Sequence, residues 1–106
     1  MIELLSPRSQ QAMRAAGRAA ASTLQHVGSR LRIGMSTAAI DRLVRAHTAS
    51  LGGRPSQLGY QGFPAAVCTS VNDVVCHGIP SPRVHLRDGD IVNVDVTTEL
   101  CGHHGD

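Results

Sequence analysis

The stretch Asp90-Ile91-Val92-Asn93-Val94-Asp95-Val96-Thr97 sets the Asp95 carboxylate in a β-branched apolar run. β-branched residues favour strands, and a carboxylate among valines is costly to bury unless it is paired, hydrogen-bonded or bound to a metal. Asp106 follows 11 residues later, after a turn predicted at Leu100-Cys101-Gly102. If the two segments pair as a hairpin, both carboxylates converge and favour a divalent cation such as Mn, Co, Fe or Zn. The alternative is a hydrogen-bonded Asp95 and a solvated Asp106.

A histidine precedes this strand in the run Val74-Val75-Cys76-His77-Gly78-Ile79-Pro80. A neutral imidazole can donate or accept a hydrogen bond and orient a substrate carbonyl, so His77 is a candidate catalytic residue. The alternative is a turn histidine with a purely structural role. A second pair, His103-His104, is adjacent in a predicted strand, so only one of the two side chains can face the Asp95 site.

The three cysteines, Cys68, Cys76 and Cys101, include no CxxC pair. An odd number without such a pair argues against a disulfide framework and favours reduced thiols in a cytosolic protein. A nucleophilic cysteine needs a lowered pKa, and Cys76 has no basic neighbour other than His77. A Cys76–His77 dyad is therefore a disfavoured alternative.

The overall composition excludes several functional classes. The 106 residues are 42% apolar and carry a formal charge of +2, all the basic side chains being scattered arginines. Nucleic-acid surfaces combine basic runs with aromatic residues, and neither is present. No signal-peptide pattern or membrane-length apolar run occurs. We expect a cytoplasmic protein with no membrane or specific nucleic-acid partner.

The first half of the chain has helical periodicity. Ser6-Pro7 is a typical helix start, and Met13, Ala16, Ala20 and Leu24 give one apolar face to a helix over 8–27 that Gly28 is expected to end. Ser36 or Thr37 starts a second helix, ended by Leu51-Gly52-Gly53, with an apolar face of Ile40, Leu43, Val44 and His47.

The second half has strand character after a loop over 54–64. Residues 65–71 and 74–78 are predicted as a hairpin around Asn72-Asp73. Residues 80–87 form a loop, 91–98 a strand, and a further strand follows Gly102. Two helices followed by antiparallel strands predict an α+β fold.

Several ordered motifs together resemble type I methionine aminopeptidases. The residues that carry the resemblance are Val74–Pro80 (V-C-H-G-I-P), Asp88–Thr97 (D-G-D-I-V-N-I-D-V-T in the family), His104–Asp106 (H-G-D), Gly34–Thr37 with Ile40-Asp41, and Gly59–Pro64. The match extends from near Ser6 to Asp106. The resemblance implies residues 1–106 to be the N-terminal half of a single catalytic domain with the pita-bread fold, in which two related halves enclose a dinuclear metal centre. The second half is absent from these residues.

The resemblance also implies a function and roles for individual residues. Enzymes of this family remove the initiator methionine from nascent chains by metal-dependent hydrolysis when the next residue is small. Asp95 would bind one of two divalent ions (Co, Mn, Fe or Zn) and Asp106 would bridge both. His77 would contact the substrate near the scissile bond. The methionine pocket would be lined by Tyr60, Phe63 and Cys68.

Two departures from the family pattern affect what we expect of this chain. His103 stands where an aromatic residue is common before H-G-D. The family's other ligands, a histidine and two glutamates, and an assisting histidine belong to the second half. We therefore expect negligible peptidase activity from residues 1–106 alone.

Alternative functions remain open for such a chain. One is a non-catalytic half-domain, or the product of a decayed gene, that binds a partner such as the ribosome or a separately expressed complementing half. Another peptidase of the same fold, such as a prolyl-specific one, is disfavoured because Val74–Pro80 resembles the methionine-specific type. The partners expected for the enzyme are nascent peptides that begin with methionine, and the ribosome.

Overall fold

Two helices precede five short strands in the computed structural model, which describes residues 2–106. The elements are α1 (Pro7–Arg30), α2 (Thr37–Ser50), β1 (Arg54–Pro55), β2 (Cys68–Val71), β3 (Val92–Asp95), β4 (Thr98–Leu100) and β5 (His103–Gly105). A single 3₁₀ turn, Tyr60–Gly62, lies within the predicted 54–64 loop. The order of helices and antiparallel strands confirms the predicted α+β class.

Both helices start where the sequence predicts. The Ser6 hydroxyl accepts a hydrogen bond from the Ser9 amide at 3.1 Å, and Ser36 accepts one from Ala39 at 3.1 Å. Such side-chain caps satisfy amides that have no partner inside the helix. The predicted stop at Gly28 is wrong, because α1 continues to Arg30 and leaves through an extended Leu31. No left-handed residue ends this helix, so a C-terminal glycine is not required there.

The buried face of α1 is narrower than its apolar periodicity suggests. Ala16 and Ala20 are buried as predicted, but Met13 and Leu24 are 44% and 40% exposed. The helix packs instead through small side chains, with Ala19 and Thr23 beside them, against α2, β4 and β5. Small residues are needed because β5 approaches the helix backbone closely, as described below.

The strands form two separate antiparallel sheets rather than one. β1, β4 and β5 make a sheet in the order β1-β4-β5, and β2 pairs only with β3. The predicted strand 91–98 is therefore split at Val96-Thr97, where the chain passes from one sheet to the other. The predicted turn into the last strand is confirmed, with Cys101 and Gly102 at φ of 49° and 79°, the signs that a tight type I′ hairpin requires.

The predicted hairpin of 65–71 with 74–78 is wrong. β2 pairs with β3, and residues 74–78 form no strand. This segment crosses β2 instead. The Thr69 amide donates to the Gly78 carbonyl at 2.8 Å, the Gly78 amide donates to the Ser70 hydroxyl at 3.1 Å, and the Val74 amide donates to the Val71 carbonyl at 3.1 Å. His77, at φ 56°, has a left-handed conformation that a strand does not allow.

The core lies between α2, the start of β2 and the end of β3. Its buried members are Val27, Ile40, Val44, Ala66, Val67, Leu86 and Val96. Asp41 lies beside them, and its carboxylate accepts the Ala66 amide at 2.7 Å and the Arg45 guanidinium at 2.7 Å. This carboxylate therefore joins α2 to the segment that leads into β2. Neither helix of the described chain has the length and apolar content of a membrane span.

Candidate active site

Asp95 and Asp106 come from different sheets. Asp95 is the last residue of β3 and lies opposite Cys68 of β2, whereas Asp106 directly follows β5. The hairpin that the sequence suggests does form, but from 98–100 with 103–105, so it carries Asp106 alone. The Asp106 carboxyl nevertheless lies close enough to Asp95 to raise the pKa of the Asp95 carboxyl. Their convergence depends on how the two sheets are held together.

Gly105 explains how Asp106 is located. A Cβ at Gly105 would collide with the backbone of α1 at Ala16 and Gly17. Only glycine allows β5 to lie against the helix at this distance. The glycine of the H-G-D motif thus seats β5 on α1, and the carboxylate of the next residue is placed by that contact.

The protonation of Asp95 is perturbed by its surroundings. Partial burial, then the charge of Asp106 and a hydrogen bond with it, raise the pKa of the Asp95 carboxyl, while the nearby His77 ring lowers it. Asp95 is solvent-exposed as a residue, because β3 turns Val92 and Val94 inward and Asp95 outward. Two like charges held together are the main feature of this site, and a cation relieves such repulsion.

A cavity of about 480 Å³ opens beside Asp95. Its lining includes Tyr60, Phe63, Cys68, His77 and Asp95 together. Five of the six candidate site residues therefore border one space, with Asp106 next to it through its contact with Asp95. The volume lies within the range of small-molecule pockets.

His77 reaches this cavity because of the residue that follows it. A Cβ at Gly78 would collide with the Thr69 carbonyl of β2, so only glycine lets the segment cross the strand so closely. His77 itself is exposed and left-handed. The crossing presents its ring on the cavity side of β2, near enough to Asp95 to influence that carboxyl's pKa.

Cys68 is a buried wall of the cavity rather than a nucleophile. Burial, the Asp95 charge and the neighbouring Cys76 raise the pKa of the Cys68 thiol. A thiol with a raised pKa stays protonated near neutral pH and is a poor nucleophile. The three cysteines are free, and Cys76 and Cys101 are exposed.

Gln57 is a cavity residue that the sequence motifs do not indicate. Its amide nitrogen donates to the Asp95 carbonyl at 3.0 Å and contacts the Cys68 sulfur at 3.8 Å. Its amide oxygen is buried without a hydrogen-bond partner. The only available signal was its position two residues before the Gly59-Tyr60 motif.

The donor set for a metal ion is incomplete in this part of the protein. Residues 2–106 contain no group of three or more His, Cys, Asp or Glu side chains able to hold an ion. The Asp95–Asp106 pair supplies carboxylate oxygens, which suit hard and borderline divalent cations. Within the described residues, the pair could supply the carboxylate ligands of one side of a metal centre.

Comparisons with known proteins agree with this architecture. Residues 11–106 match the model of metallopeptidase family M24. Methionine aminopeptidase 2 of Mycobacterium tuberculosis is 46% identical over 95% of this chain and 35% of its own length, and the mitochondrial methionine aminopeptidase 1D of Dictyostelium discoideum is 46% identical over 99% and 26%. The crystal structure of methionine aminopeptidase from Rickettsia prowazekii superimposes with a TM-score of 0.96 at 42% identity, covering 100% of this chain and 42% of that one.

The chain covers only part of the length of these relatives. Among the curated relatives that it matches, the chain spans between 25% and 42% of their length. The Thermotoga maritima methionine aminopeptidase shows the same proportion, with a TM-score of 0.94 at 34% identity over 98% of this chain and 42% of that chain. The fold is therefore that of one part of a pita-bread aminopeptidase. The chain belongs to metallopeptidase family M24.

Proposed function

We propose that the protein containing this chain removes N-terminal methionine from newly made proteins by metal-dependent peptide hydrolysis. One observation carries the proposal: the cavity beside Asp95 is lined by Tyr60, Phe63, Cys68 and His77, and the Asp106 carboxyl meets Asp95 at its edge. The matched relatives are named methionine aminopeptidases. We also propose the cytoplasm as its location and nascent peptides, with the ribosome, as its partners.

The cavity suits an unbranched apolar side chain. Tyr60 and Phe63 provide aromatic surface, and the protonated Cys68 thiol provides a small apolar wall. Methionine is flexible and makes favourable sulfur–aromatic contacts. In the proposed complex these residues bind the first side chain of the substrate and exclude water from it.

The polar residues would act on the first peptide bond. His77 would donate a hydrogen bond near the scissile amide and orient it. Asp95 and Asp106 would hold divalent cations, two of them from the set Co, Mn, Fe or Zn, with further ligands from the rest of the protein. When bound, such cations lower the pKa of water and polarise a carbonyl.

The test is release of methionine from a Met-Ala peptide by the product of the full open reading frame that encodes this chain. We expect release that depends on Mn²⁺ or Co²⁺ and is lost in Asp95→Ala. Asp88→Ala, which removes an exposed carboxylate of the turn before β3, is the matched control and should retain activity. We expect residues 1–106 alone to show negligible activity.

Two results would contradict the proposal. Release that persists without metal, or in Asp95→Ala, would remove the carboxylate pair from the chemistry. A protein that releases no methionine under any metal condition but forms a defined complex in size-exclusion chromatography would favour the binding-module alternative.

A further inference from the structure

The segment Ser56-Gln57 contacts four separate parts of the site. Its amide at Ser56 donates to the Thr97 carbonyl at 2.9 Å, and the Ser56 hydroxyl is hydrogen-bonded to the His104 ring at 2.8 Å. The Gln57 side chain donates to the Asp95 carbonyl at 3.0 Å and lies 3.8 Å from the Cys68 sulfur. One dipeptide thus touches both sheets and the linker between them.

The two carboxylate segments have no strand pairing with each other. Asp95 belongs to the β2–β3 sheet and Asp106 follows the β1–β4–β5 sheet. No ladder hydrogen bond therefore sets the separation of the two carboxylates. The side chains of Ser56 and Gln57 reach one segment each: Ser56 reaches His104, two residues before Asp106, and Gln57 reaches the backbone of Asp95 itself.

The surroundings of Gln57 indicate that it is held firmly. Ser56 and Gln57 are half-buried, and Gln57 and Tyr60 form a shared wall between the 480 Å³ cavity and a second one of about 330 Å³. The segment is anchored at its start by β1, which pairs with β4 through Arg54 and Pro55. The backbone that carries Gln57 is thus held by β1, and the tip of its side chain is bonded to the Asp95 carbonyl. A side chain held in this way can fix the position of the Asp95 backbone.

We propose that Ser56 and Gln57 are positioning residues that hold the Asp95 and Asp106 segments at the separation required for both carboxylates to meet one metal centre. This inference rests on the proposed function. Groups that orient metal ligands typically change metal affinity by about 10–100-fold when they are removed. Neither residue is proposed as a metal ligand: Gln57 acts through the Asp95 backbone carbonyl and Ser56 through the His104 ring.

Mn²⁺ binding measured by titration calorimetry on the product of the full open reading frame tests this role. Gln57→Leu keeps the side-chain volume and removes the amide donor, and Ser56→Ala removes the hydroxyl. We expect each to weaken Mn²⁺ binding about 10-fold while the melting temperature of the metal-free protein stays within about 5 °C. Ser56→Thr, which retains a hydroxyl, should restore affinity. Gln25→Leu, an exposed glutamine on α1, should leave affinity unchanged.

The outcomes separate the two proposals. Wild-type binding of Mn²⁺ with unchanged affinity in both variants, or a lower melting temperature as the only effect, would overturn the positioning role alone. Absence of binding of Mn²⁺, Co²⁺, Fe²⁺ and Zn²⁺ alike by the wild-type protein would overturn the proposed function and the inference together. If one variant fails to fold, the other decides.

Discussion

The two sheets differ in how completely they are covered. The β1–β4–β5 sheet lies under α1 and meets α2 at β1, and at Gly105 it touches the helix backbone. The β2–β3 sheet is covered less evenly: residues 68–70 of β2 are buried, but Asn93 and Asp95 of β3 are exposed. Beside this sheet, Val75, Ile79 and Ile91 are 91%, 59% and 76% exposed. One candidate ligand comes from each region. The site thus joins a closely packed frame to an open surface, and the two should respond differently to substitution.

The largest change in stability is expected where the frame is tightest. Gly105→Ala would force a methyl group into the backbone of α1, and overpacking of this kind costs about 1–3 kcal/mol. Gly28→Ala is the matched control, because a Cβ there meets nothing within 4 Å. Alanine is favoured over glycine in a helix, by up to about 1 kcal/mol, and Gly28 lies in the last turn of α1. The free energy of unfolding measured by urea denaturation should therefore fall for Gly105→Ala and rise for Gly28→Ala. Equal changes in the two variants would contradict the close contact of Gly105 with α1.

An effect of comparable size is expected where the β1–β4–β5 frame joins the β2–β3 sheet. Asp41→Ala removes the acceptor of the Ala66 amide and leaves that buried donor unpaired, at a cost of about 1–3 kcal/mol. Two residues after Ala66, β2 begins with Cys68, which lines the cavity. Chemical denaturation measures the loss, with Asp73→Ala in the exposed 72–73 turn as the control. A loss no larger than the control's would show that α2 does not hold this segment.

The open surface should tolerate polar substitution. Val75→Ser changes a side chain that is 91% exposed, and such changes usually lie within about 0.5 kcal/mol. Val44→Ala in the fully buried core provides the contrast, at about 2 kcal/mol for two lost methylene equivalents. Both are measured by denaturation of residues 1–106. Repeating Val75→Ser in the product of the full open reading frame reports whether any further residues cover this surface. A clear loss of stability in that product, and none in residues 1–106, would show that they do.

The smallest effect concerns pH in the metal-free protein. The pKa of Asp95 is raised above its ordinary 3.8, so the folded state binds this proton more tightly than the unfolded chain. The stabilisation that this bound proton gives the folded state is fully present below the unfolded pKa of Asp95, and it is lost as pH rises through the folded pKa. Asp106→Asn removes the like charge and should reduce this decline. A stability–pH profile that is unchanged by Asp106→Asn would show that the two carboxyls do not interact.

Local signals in the sequence predicted part of this fold. Hydroxyl caps at Ser6 and Ser36 depend on neighbouring residues, as does the two-residue turn at Cys101-Gly102, and all three were predicted. The prediction of a strand over 74–78 was wrong because β2 pairs with a segment more than 20 residues further along the chain. Local β-propensity gives no information about such a distant partner. Glycine is a common residue at helix ends, which is why Gly28 was predicted as a stop, but α1 continues past it to Arg30.

In the candidate site too, the residues within contiguous motifs were predicted and the contacts made across the fold were not. Motif resemblance pointed to the residues that line the cavity, because these lie in contiguous signature runs. It gave no sign of Gln57, whose contacts to Asp95 and Cys68 are made across the fold. Nor did it separate the roles of the two motif glycines, which depend on close approaches to α1 and to β2. Such distances arise only from tertiary packing.

The contact of Gly105 with α1 also has a consequence for heating and solvent exchange. Asp106 is attached to a strand that can leave the helix only if the packing of α1 is disrupted, whereas His77 lies on a segment joined to β2 by three hydrogen bonds. Segments held by few bonds open locally, and packed elements open only with the whole domain. His77 should therefore move through small local fluctuations, whereas Asp106 should move only when the domain opens as a whole.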